Sequence, residues 1–169
     1  ALTARLVSAV VRLPQLLMPF SRGELVSWIE SALPALESFA PVEARARALY
    51  LLGAHRVRQM PESPEGIRMV NQALQLAREA NMPYDLCMFL ASSSVMLAER
   101  REEFLGELEG LASTGNPYAI LFWHVFSGRA LASERRMEEA FARTQAATIP
   151  LQRSGSTQLL VALQVMLAD

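Results

Sequence analysis

The dipeptide Pro-Tyr occurs twice, in "NMPYDL" (Asn81 to Leu86) and in "NPYAIL" (Asn116 to Leu121), with Pro83 and Pro117 thirty-four residues apart. Pro150 follows thirty-three residues later, and Pro41 precedes Pro83 by forty-two. Prolines that recur at near-constant steps between stretches of helix formers restrict a chain to repeating one helical unit. Ala, Leu, Arg, Glu, Gln and Met fill the intervening stretches, and these residues lose little on entering a helix. Alternating β-branched runs and Asn-Gly or Asp-Gly hairpin turns are missing, so no strand is expected. The pattern predicts helices at about 2–18, 23–39, 42–58, 65–80, 84–99, 101–114, 118–132, 134–147 and 155–168.

Small residues share the period. Ahead of each proline stand Ser31, Ala35 and Ser38, then Ala73, Ala77 and Ala80, then Gly106, Gly110 and Ser113, then Ala140, Thr144 and Ala147. Spacings of four and three put each set on one helix face, where a neighbouring helix can come close. The preceding helices carry Gly53, Ser94, Gly128 and Ala162 in mid-helix. Ser94 to Gly106 and Gly128 to Ala140 are both twelve residues, whereas Gly53 to Ala73 is twenty. The extra eight are assigned to a loop, "RQMPESPEG", inserted within one pair.

This register resembles the tetratricopeptide repeat family, whose helix pairs of thirty-four residues carry small residues at these offsets and a closing proline. "LLGAHRV" with "ALQLAREANMP", and "VFSGRALASERRMEEAFARTQAATIP", carry the likeness; "CMFLASSSVML" with "FLGELEGLASTGNP" is a looser match. The large aromatic expected ahead of each helix-A small residue is replaced by Leu49, Leu90 and His124, so the repeats are degenerate. The resemblance implies an all-α, right-handed α-α superhelix of about four antiparallel pairs plus a terminal helix. It reads 1–169 as a single domain, with a degenerate pair over 1–41, three clearer repeats over 42–150 and an unpaired or capping helix over 151–169. "RARALYLLG" and "ALQLAREA" also resemble the helical repeats of large bacterial LuxR-type, ATP-dependent transcriptional regulators. The start at Ala-Leu, without Met, suggests a piece of such a longer protein.

The search for chemistry leaves no catalytic constellation. His55 and His124, the two histidines, lack a second ligand at metal spacing. Cys87, the single cysteine, sits in apolar "LCMFLA", where a thiol is usually inert. All sixteen basic residues are Arg, which removes any P-loop or Schiff-base lysine. No enzyme activity, cofactor or metal is expected. A net charge of −1 gives no general pull towards nucleic acid or a membrane. The first apolar run is broken by Arg12 and Pro14 and is too short to span a bilayer. A cytoplasmic location is expected.

In the resembled family, partners bind in a groove lined by the first helix of each pair. Its register selects Arg47, Tyr50, Met88, Phe122, Val125, Arg129, Leu159 and Met166, and also Ala54 and Val95. The lining is mostly apolar, with Arg47 and Arg129 as isolated cations. It suits an amphipathic or apolar segment carrying one acidic group. The expected function is a protein-, peptide- or small-ligand-binding module in the sensor or interaction region of a bacterial regulator. The alternative is a chaperone or assembly adaptor shielding a client. A homo-oligomer, or contact with other domains of the parent protein, is expected to cover remaining apolar surface.

Overall fold

The computed structural model describes residues 22–168, and the helix expected at 2–18 lies outside them. The described residues fold into helices and short turns: α1 (Arg22–Phe39), α2 (Val42–Gln59), α3 (Pro64–Glu79), α4 (Pro83–Met96), a 3₁₀ turn (Ala98–Arg100), α5 (Arg101–Ser113), α6 (Pro117–Ser133), α7 (Met137–Gln145), α8 (Thr148–Arg153) and α9 (Thr157–Ala168). Among the described residues no helix is long and apolar enough to cross a membrane. The contacts divide the chain into two compact units, Ala1–Leu86 and Cys87–Asp169, with the boundary inside α4.

In the first unit α1 packs on α2 and α2 on α3. Ile29, Ala32 and Leu36 form the buried face of α1, while Ser31 and Ser38 are exposed and donate back to the Ser27 and Pro34 carbonyls. The expected small-residue face of this helix is therefore its wet side. α2 is fixed against α3 at Gly53. A Cβ there would stand 2.8 Å from the Gly66 carbonyl oxygen and 2.9 Å from the Val70 nitrogen. Gly66 is the reciprocal partner, because a Cβ on it would lie 3.2 Å from the Gly53 carbonyl oxygen. Gly53 thus meets Gly66, Met69 and Val70.

The loop expected at "RQMPESPEG" shrinks to Met60–Ser63, because Arg58 and Gln59 end α2 and Pro64 begins α3. The cause is local. The Ser63 hydroxyl accepts from the Gly66 N–H at 3.2 Å, and Pro64 occupies the first helical position, where its missing N–H is no loss. The forty-two-residue step reflects longer helices, not an inserted loop.

In the second unit α6 packs against α5, α7, α8 and α9. Its start is fixed by Asn116, whose side-chain oxygen accepts from the Tyr118 and Ala119 N–H groups, with Pro117 at the first helical position. Gly128 is the close-approach point: a Cβ there would collide with the Thr144 hydroxyl and stand 3.0 Å from the Ala140 carbonyl oxygen. Ala140 and Thr144 of the small-residue face thus admit a neighbouring helix, as their spacing predicts. The corresponding expectation for α5 is corrected. Gly106 and Gly110 are exposed and nothing lies within 4 Å of a Cβ on either, while Phe104, Leu105 and Leu108 face inward. Large apolar side chains outcompeted the small stripe for burial, as the area term requires.

Pro150 does not close a helix pair. It lies inside α8, a turn that sequence reading missed. Ala146 and Ala147 keep right-handed helical dihedrals between α7 and α8. Pro150 therefore falls in the first turn of α8, where no backbone N–H is needed. Burial explains why the chain continues: Ala147 and Leu151 join Ile120, Leu121, Val125 and Leu163 in one apolar cluster. The breaks between these helices fall at left-handed residues, thirty-four and forty positions apart. Asn81, Gly115 and Gly155 have φ of 51°, 85° and 69°, and a new helix starts two residues after each, at Pro83, Pro117 and Thr157.

The two kinds of glycine should separate on substitution. Gly53→Ala is expected to destabilise by about 1–3 kcal/mol, because helix backbone must move. Gly110→Ala, on an open helix surface, is expected to stabilise by about 0.5–1 kcal/mol. Urea midpoints of the two variants against the parent chain give the comparison, and equal shifts would refute the assigned packing.

Candidate interaction surface

The eight groove positions fall into different environments. Tyr50 and Val125 are buried at the core, and Phe122 is buried beside Phe126, their ring centroids 6.2 Å apart. Val125 is covered because α8 and α9 pack on α6 and bring Leu151 and Leu163 against the same cluster. Ala54 is also buried. Met88 and Leu159 are half-buried, and Leu159 packs at the edge of that cluster. Val95 and Arg129 are exposed. The Met166 side chain lies outside the described residues.

Arg47, read from sequence as an isolated cation, is paired within its own unit. Its Nε and Nη2 donate to the two Asp85 carboxylate oxygens, both at 2.7 Å. The Asp85 side chain is only 9% exposed, so the pair is a planar two-point contact in a part-dry setting. The hydrogen bond from Arg47 to Asp85 and the field of that carboxylate raise the Arg47 pKa against burial. The fork ties α2 to the first turn of α4. Sequence spacing could not show it, since the partners stand thirty-eight residues apart.

Arg129 has a different setting. Its guanidinium lies over the Phe126 ring, 5.3 Å from the centroid. The ring holds the planar cation without satisfying its donors. No acidic group among the described residues pairs with it. Arg129 and Val95 directly follow the small residues Gly128 and Ser94, and each stands twelve residues after the first residue of its helix, Pro117 or Pro83.

The residues screened for chemistry are structurally engaged. The Cys87 thiol is pushed up to about 11 by burial and by Glu107, which leaves it protonated and unreactive at neutral pH. The His124 Nδ1–H donates to the Arg143 carbonyl at 2.8 Å, tying α6 to α7. Trp123 packs edge-on against His124, and the Arg143 guanidinium sits 4.9 Å above the Trp123 ring. Among the described residues no group of three or more His, Cys, Asp or Glu is placed to hold a metal ion. No family model, curated protein or solved structure matches the chain.

Two outcomes follow from these contacts. Removing the cation with Arg47→Met leaves a buried carboxylate unpaired, and is expected to cost about 1–3 kcal/mol by urea unfolding. Replacing both partners, Arg47→Met with Asp85→Leu, should recover most of that loss; no recovery would mean the pair is not the cause. For His124, burial lowers the pKa, the Arg143 charge adds to that, and the carbonyl bond opposes it. The unfolded chain therefore takes the proton first. The His124 contribution is full above the unfolded value of about 6.5 and is lost as pH falls below it towards the folded pKa. Between about pH 7.5 and 5.5 the parent chain should lose more stability than His124→Gln, a difference read from paired urea curves.

Proposed function

We propose that the chain is a non-catalytic helical-repeat interaction module that binds an apolar or amphipathic segment along its first-helix surface. One observation carries the reading: Arg129 is exposed and stacked on Phe126, with no acidic partner among the described residues. A guanidinium pre-positioned on a ring, with no acid among the described residues on its donors, fits a carboxylate on a partner. The accessible apolar side chain at the equivalent position, Val95, fits the apolar side of the same ligand.

Three features support a repeat architecture of the tetratricopeptide kind. Gly53, Ser94 and Gly128 each stand eleven residues after the first residue of their helices, Val42, Pro83 and Pro117. Gly53 and Gly128 each receive the following helix at close range. Each new helix after α3, α5 and α8 is launched by a left-handed residue two positions upstream. A right-handed superhelical stack of such pairs, in the sensor region of a bacterial regulator, is the arrangement we favour. The adaptor reading uses the same surface and differs only in the partner being a client chain.

The surface can be tested without knowing the natural partner. A displayed library of amphipathic helical peptides selected on the chain should yield sequences with an acidic residue beside the apolar stripe. Selection on Arg129→Glu should drop that acidic residue, and parent-selected peptides should bind the variant at least about tenfold more weakly. Peptides whose charge and affinity ignore the substitution would remove Arg129 from the binding surface.

A further inference from the structure

The largest exposed apolar side chains of the second unit fall in one row. Met137, Phe141 and Ile149 are 64%, 55% and 58% exposed. With Gln145, also exposed, they follow one another at intervals of four residues. The break between α7 and α8 does not scatter them. Ala146 and Ala147 keep helical dihedrals, and the Leu151 N–H still bonds the Ala147 carbonyl at 3.1 Å. The opposite side of this stretch is the packed one, through Ala140, Ala147 and Leu151.

The charges beside the row are distributed unequally. Arg136 pairs with Glu139 at 2.6 Å and with Glu134 at 3.2 Å, which leaves Glu138 as the unpaired carboxylate in the first turn of α7. Glu138 and Arg153, both exposed, take no part in any ion pair among the described residues. Glu138 lies seven residues before Gln145 and Arg153 eight after it. Phe141 and Ile149 lie four before and four after. The row is therefore near-symmetric about Gln145 in position and opposite in charge at its ends.

A surface with that reciprocity complements itself when a second copy is laid antiparallel on it. We infer that the α7–α8 row is a two-fold docking surface for a second copy of this chain, centred on Gln145. Across the axis Phe141 of each copy meets Ile149 of the other. The unpaired carboxylate of Glu138 comes within a turn of the opposing Arg153 guanidinium. The Gln145 amides, each with a donor and an acceptor, pair with one another. Such a contact is isologous and closes at two copies. One helical edge per copy buries less than about 1,200 Å² in all, which places the dimer in the weak class. It uses neither Arg129 nor Val95, so peptide binding there and this dimer stand or fall separately.

Sedimentation equilibrium of the full chain, up to about 1 mM, is expected to show a monomer–dimer equilibrium with Kd of about 10–500 µM. Phe141→Glu, at an exposed site, should weaken it at least about tenfold without altering the urea midpoint. Glu138→Arg and Arg153→Glu should each weaken it, and the two together should restore it. Gln145→Cys should form a disulfide dimer under mild oxidation faster than Gln72→Cys on exposed α3, since Cys87 is buried and silent. A chain monomeric throughout that range overturns the inference, as would a dimer indifferent to Phe141→Glu. Cross-linking of Gln145→Cys no faster than the Gln72→Cys control also overturns it.

Discussion

Helix contact at small residues is the constraint on which both units are built. At Gly53 the backbone of α3 comes so close to α2 that a single methyl group would reach the Gly66 carbonyl and the Val70 nitrogen. At Gly128 the same happens with Ala140 and Thr144. Backbones this close bring long rows of side chains into contact on either side of the crossing, and dispersion and apolar burial accumulate there. Val57, Val70 and Leu74 are among the side chains buried beside the first crossing; in the second unit Val125, Leu151 and Leu163 are buried where α8 and α9 pack on α6. Where the small residue has no neighbour, as at Gly106 and Gly110, it organises nothing.

Much of the fold was legible because it depends on local chemistry. The starts of α3 and α6 follow from Ser63-Pro64 and Asn116-Pro117, cap residues each followed by a proline that needs no donor. The helix ends at Asn81, Gly115 and Gly155 follow from residue types that tolerate positive φ. Pro150 misled because a proline is compatible with two local states, a helix stop or a first turn. The choice between them fell to Leu151, whose burial against α6 and α9 favours a new turn over a loop. The small stripe of α5 misled for a related reason. Spacing shows that residues share a face, and only the competition with Phe104, Leu105 and Leu108 shows which face turns inward.

The candidate surface was less legible. Family register placed Tyr50, Phe122 and Val125 along a lining, and the folded chain has them buried in packing between its own helices. Arg47 and Arg129 look alike in sequence. One is held by the buried Asp85 carboxylate and the other rests on an aromatic ring at the surface. That difference directs the functional reading towards Arg129. The row of Met137, Phe141 and Ile149 escaped sequence reading, since Pro150 was taken to end the helix that continues it.

By itself the sequence determined a helical chain, the starts of its helices and the points where two helices can approach closely. It also excluded lysine chemistry and any internal disulfide. These follow from propensity, capping, backbone freedom and residue type, which act over a few residues. Tertiary structure decided which glycines are crossings, which arginine is already paired, whether Pro150 stops or starts a turn, and which apolar residues stay in water. Each of those is settled by competition for buried area and for charge partners among residues far apart in the chain, and no local spacing encodes the outcome of that competition.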